Sequence, residues 1–106
     1  MKTVTVTAVL AMATASSAHA VYDLNARHTP FDWGKIAAAA DVYASECGKS
    51  VSNKVEEMSG AANSVNSSEF MRGYGAGDEA WTNVIDKLGN RFCATWQSLV
   101  KKGLVN

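Results

Sequence analysis

The chain has 106 residues, with ten basic and ten acidic side chains, and 47% of it is hydrophobic. That length suits one small domain. The charges are balanced and interspersed, so they give no electrostatic case for nucleic acid or an anionic membrane surface.

The N-terminal stretch reads as an export address. Lys2 supplies a positive start, Val4–Ala15 is uncharged and small or apolar, and Ala18-His19-Ala20 presents Ala-x-Ala. This is the pattern of a secretory signal peptide spanning 1–20, cut after Ala20. The apolar run is too short and too rich in threonine for a membrane anchor, which needs about 20 apolar residues. The expected destination is a bacterial periplasm, with no membrane insertion after cleavage. The remaining chain, 21–106, is read as one domain. Losing Lys2 leaves nine basic against ten acidic residues, a formal charge of −1.

The segment Val21–His28 is a polar leader without a period, expected to dock loosely or move. His28 is the lone histidine after the cut, and a solvated or hydrogen-bonded role is expected for it. Thr29-Pro30-Phe31-Asp32 is a helix start: Thr29 (or Asp32) caps, Pro30 suits the first helical position, and Asp32 falls in the positive first turn. The apolar positions Ile36, Ala40, Tyr43, Cys47, Val51, Val55 and Met58 then follow at steps of three and four. That stripe predicts a single helix, straight or bent, to about Ser59, although Gly48 could also end it after Cys47. Ala40, Ala44, Gly48 and Ser52 form a second stripe of small residues, a face that another helix can approach.

Gly60–Ser68 is read as a loop, with Gly60 as a left-handed helix cap. Asn66 and Glu69 form a capping-box variant that starts the next helix, so the flanking helices should run antiparallel. Phe70, Tyr74, Gly77, Trp81, Val84, Ile85 and Leu88 give that helix its apolar face. Gly73, Gly75 and Gly77 should cost it about 2–3 kcal/mol relative to alanine. Either the helix breaks there and restarts at Asp78, or Gly73 and Gly77 pack closely, on the face of Ala40, Ala44 and Gly48. Gly89 is read as a stop and Asn90 as the next cap. A last helix is expected over about Arg91–Lys102, carrying Phe92, Cys93, Trp96, Leu99 and Val100 on one side. Leu104 and Val105 form either an exposed apolar tail or a contact that folds back. No stretch alternates with a period of two, so the predicted class is all-α: a small bundle of three to four helices.

Cys47 and Cys93 are the only cysteines. An even pair in an oxidising compartment reads as a disulfide, and loop-closure entropy then contributes about 4 kcal/mol. A Cys-x-x-Cys redox motif is absent, and one histidine with two cysteines is too small a set for a tetrahedral metal site. The glycine run lacks the spacing and preceding strand of a phosphate loop. Glu69, Asp78 and Glu79 read as exposed capping carboxylates rather than a glycosidase pair. No Gly-x-Ser-x-Gly elbow occurs. No catalytic residue, cofactor or metal is therefore expected. Tyr74, Trp81 and Trp96 are expected in the core.

Cys47 on a first helix, Phe70-x-x-Gly73-Tyr74-x-x-Gly77, and Phe92-Cys93 followed by Gln97 resemble the Tai/Rap family of small periplasmic immunity proteins of type VI secretion. The resemblance covers roughly 47–97 and departs at Ala94-Thr95, where members often carry a proline. It implies a helical exported domain with Cys47 bonded to Cys93, and structural roles for Gly73, Tyr74, Gly77 and Phe92. It also implies a protein partner, a peptidoglycan-cleaving effector bound and neutralised, and the capacity to form a homodimer. The partner-facing surface does not carry over. Two other non-enzymatic readings compete: a periplasmic acid-stress chaperone, similar in size, cysteine pattern and helical content, and an envelope protein of structural role. A small hydrolase or redox enzyme is a fourth reading.

Overall fold

The computed structural model describes residues 22–96 and 103–106. The proposed signal peptide, Gln97 and the second half of the expected last helix lie outside the described residues. The fold is an all-α bundle: α1 (Pro30–Cys47), α2 (Asn53–Val65), α3 (Ser67–Leu88), a 3-10 turn (Gly89–Arg91) and α4 (Phe92–Thr95).

The start of α1 is a full capping box. Thr29 Oγ1 accepts from the Asp32 amide at 3.1 Å, and the Asp32 carboxylate accepts from the Thr29 amide, with Pro30 behind the cap. The helix then ends earlier than its apolar period predicts. Gly48 takes a left-handed φ of 64° and closes α1 after Cys47, and Ser52 caps a separate helix by accepting from Val55 N at 3.2 Å. Val51 and Val55 stay in phase with the stripe because the chain reverses and buries them against the same core. The expected single helix to Ser59 is therefore two helices.

The expected loop at 60–68 is also corrected. Gly60 sits inside α2, and Asn66 alone joins α2 to α3. Asn66 Oδ1 accepts from the Glu69 amide at 3.1 Å. Glu69 does not reach back; its carboxylate accepts from Arg72 instead. Splitting the first helix also changes the directions. Met58 and Val65 of α2 lie beside Trp33 and Pro30, so α2 runs against α1. A Cβ added at Gly73 would meet Phe31 and one at Gly77 would meet Ala38, so α3 runs parallel to α1.

The α1–α3 contact is the most extensive in the bundle, and glycines permit it. A Cβ at Gly34 would lie 2.6 Å from Tyr74 N, and one at Gly73 would lie 2.8 Å from the Phe31 carbonyl carbon. A Cβ at Gly77 would lie 3.0 Å from the Ala38 methyl. Backbone meets backbone here, which only residues without a side chain allow. The partner face is thus Phe31, Gly34, Lys35 and Ala38, not the expected Ala40/Ala44/Gly48 stripe. Helix α3 runs unbroken through all three glycines and stops at Gly89, whose φ is 56°. Asn90 does not cap; it lies within the 3-10 turn.

Cys47 and Cys93 are joined, with 5.7 Å between their Cα atoms. Beside the bond, Tyr43 Oη donates to the Cys93 carbonyl at 2.5 Å, so a side chain of α1 also holds α4. Phe92 is buried against Tyr43 and Trp81, and Trp81 stacks edge-on to Trp96 at 4.9 Å. The leader is not loose: Tyr22 is buried, and its hydroxyl accepts from Trp81 Nε1 at 2.7 Å. At the other end, Leu104 is fully buried and Val105 pairs antiparallel with Val51. Ser52 N donates to the Leu104 carbonyl at 2.9 Å, and Asn106 N donates to the Ser50 carbonyl at 2.7 Å. The C-terminus therefore folds back and clamps the α1–α2 link.

Candidate functional site

Among the residues of the glycine–cysteine motif, all turn inward or hold the scaffold except one. Gly73 and Gly77 face α1, Phe92 fills the core, and Cys47 and Cys93 form the bond. Tyr74 is the exception. It sits half-buried on α3, and its hydroxyl donates to Asp41 of α1. Burial raises the Tyr74 hydroxyl to a pKa of about 12, helped by that bond and by the negative charges of Asp41 and Asp78. Its neighbourhood is thus both apolar and negative.

Two grooves meet at this pair. The first lies where α1, α2 and α3 converge and has a volume of about 330 Å³. Ala37, Val51, Val55, Phe70 and Tyr74 make it apolar, and Asp41, Glu56 and Ser59 also line it. Met71 lines it too, and is 58% exposed although it is a large apolar side chain. Ser59 is buried, and its Oγ has no hydrogen-bond partner among the described residues. The second groove runs between α1 and α3 with a volume of about 450 Å³. Asp41, Glu46, Asp78 and Asp86 line it, with Val42 and Ile85 among them. Asp41 borders both grooves, and among the described residues no lysine or arginine lines either one.

The parallel packing of α1 and α3 explains the acidic groove. Asp41 and Ser45 are four apart on α1, and Asp78, Thr82 and Asp86 are four apart on α3, so each set shares a helix face. In the sequence these carboxylates stand among cations such as Lys49 and Lys87 and look evenly mixed. The i, i+4 spacing within each helix was readable; the pairing of the two faces depends on the Gly34/Gly73 contact. Met71 and Asp41 were missed for the same reason.

The other expected candidates take structural places. The Nε2–H of His28 donates to the Asp23 carbonyl at 2.6 Å, its Nδ1 lies 4.0 Å from Asp32, and its ring meets Trp33 edge-on. Glu69 pairs with Arg72 on the surface, and Asp78 lines the acidic groove. Among the described residues, no group of three or more His, Cys, Asp and Glu is placed to hold a metal ion. Nor is any helix among them long and apolar enough to cross a membrane.

What the arrangement offers is complementarity. An apolar groove beside an acidic one suits a surface that is part apolar and part basic. Comparison with known proteins returns no matching family model, no matching curated protein and no matching solved structure.

Proposed function

We propose that this chain is an exported, non-enzymatic binding protein that neutralises a cell-wall-degrading enzyme, in the manner of an immunity protein. The observation that carries the reading is the pair of adjoining grooves sharing Asp41, one apolar and one acidic. The disulfide supports it, because a scaffold tied at Cys47–Cys93 holds such a face with little ordering cost on binding. The Gly73-Tyr74/Phe92-Cys93 pattern supports it as a resemblance to the Tai/Rap family. The acidic face also suits the chemistry of the target. Peptidoglycan stem peptides carry free carboxylates, so an enzyme that engages them presents cations.

The test is affinity capture from a bacterial envelope extract with the oxidised protein, followed by an assay of peptidoglycan release by the captured fraction. The proposal expects a hydrolase that is silenced by added protein. If no hydrolase is held or inhibited, and the protein instead protects clients from aggregation at acidic pH, the chaperone reading replaces this one.

A further inference from the structure

We infer that the groove between α1, α2 and α3 is a socket for one large apolar side chain on a partner segment that carries a lysine or arginine beside it. The inference rests on the protein-binding reading and names the chemistry of its partner. Three observations place the occupant. The floor of Val51, Val55 and Phe70 is apolar, and its volume of about 330 Å³ is at the small end for ligand pockets, suiting a side chain better than a large cofactor. Met71 stands exposed at this groove, and a flexible thioether adapts to an inserted side chain. Asp41 and Glu56 supply two carboxylates from different helices, with no cation in the lining among the described residues, so a basic residue beside the apolar one is favoured.

Two further details fit this occupant. The Tyr74 hydroxyl engages one oxygen of Asp41, which orients the carboxylate. The Ser59 hydroxyl lies beside the groove without a partner among the described residues, a polar group that a bound main chain would satisfy once Met71 moves aside.

The probe is an acetylated, amidated peptide Gly-Ser-Lys-Leu-Lys-Ser-Gly, titrated into isotopically labelled oxidised protein and followed by amide and methyl NMR. Shifts should concentrate at Val51, Val55, Met71 and Tyr74 and weaken as salt is raised. Replacing the peptide's leucine by serine, or its lysines by glutamates, should abolish them. Asp41→Lys and Glu56→Lys should each weaken binding about tenfold. Glu56→Lys leaves the Tyr74 hydrogen bond untouched, so it keeps the test valid if Asp41→Lys unfolds. Absence of shifts at these residues, or equal binding of the glutamate peptide, overturns the inference. Sedimentation that shows a dimer broken by Met71→Glu also overturns it, because a second copy then fills the groove. If both charge reversals inhibit a hydrolase as well as the parent protein does, the socket fails while the inhibitor reading stands. If the peptide binds but no hydrolase is inhibited, the socket stands and the inhibitor reading fails.

Discussion

Replacing Gly73 by alanine should destabilise the protein, although the same change elsewhere in a helix stabilises it. In a helix interior, Gly→Ala gains about 1 kcal/mol. Gly75, two residues on, has open space where a Cβ would go, so Gly75→Ala should show that gain. At Gly73 the new methyl would lie 2.8 Å from the Phe31 carbonyl carbon and 3.0 Å from its Cα, and it would overlap the carbonyl oxygen. Carbon atoms prefer about 3.5–4.0 Å, so α1 must withdraw by about an ångström along its packed face. Overpacking typically costs about 1–3 kcal/mol, and a backbone obstacle that cannot rotate away puts this case at the upper end. After the helix-propensity gain, the net loss is about 2 kcal/mol, which places the two variants about 3 kcal/mol apart. Urea unfolding followed by tryptophan fluorescence measures this directly, since Trp33 and Trp81 are buried. If Gly73→Ala is as stable as the parent or as Gly75→Ala, the close parallel packing of α1 on α3 is wrong.

Three further outcomes follow from the same structure. The double replacement Cys47→Ala/Cys93→Ala opens a loop spanning a separation of 46 residues and should cost about 4 kcal/mol in the urea midpoint analysis. Leu104→Ala removes a fully buried side chain of the C-terminal clamp and should cost about 2–5 kcal/mol, with faster amide exchange at Ser52 as the local readout. Tyr74 should make stability fall at alkaline pH. Its pKa rises from 10.0 to about 12 in the fold, so the folded state favours the protonated hydroxyl. That contribution is complete below about pH 10 and is lost as pH climbs through about 12. Tyr22 and Tyr43 are raised by burial as well, so both the parent and Tyr74→Phe decline there. The gap between them should shift across that window, and a constant gap would remove Tyr74 as a contributor.

The helix starts were legible because their chemistry is local. Thr29-Pro30-Phe31-Asp32 and Asn66 each satisfy amides within three residues, and Gly89 stops α3 where the sequence placed the stop. The disulfide was legible from the even pair of cysteines together with the expected export. The break at Gly48 was half legible: the glycine offered a stop after Cys47, but the in-phase stripe favoured one helix, because a chain that reverses and buries both arms against one core can keep its apolar residues in phase. Ser52 was a usable signal: a serine three residues before Val55 caps a helix, yet it was grouped with the small-residue stripe. Gly60 was misread for the opposite reason; a glycine on an exposed helix face costs something, and α2 tolerates it. Gly34 carried no flag because one glycine in a helical run says nothing until its partner helix is known. Tyr22 likewise lacked a pattern, since its place depends on Trp81, distant in sequence. The site was the least legible part. Asp41, Asp78 and Asp86 look dispersed along the chain and become one face only when α1 and α3 lie side by side.

The most direct test of inhibition is a titration of the oxidised protein into the hydrolase captured with it from envelope extract, read as release of labelled peptidoglycan fragments. Release should fall to background at a fixed protein-to-enzyme ratio, and Asp41→Lys and Met71→Glu should shift or abolish that endpoint while keeping the helical spectrum. Undiminished release at a large excess of folded, disulfide-bonded protein would contradict it.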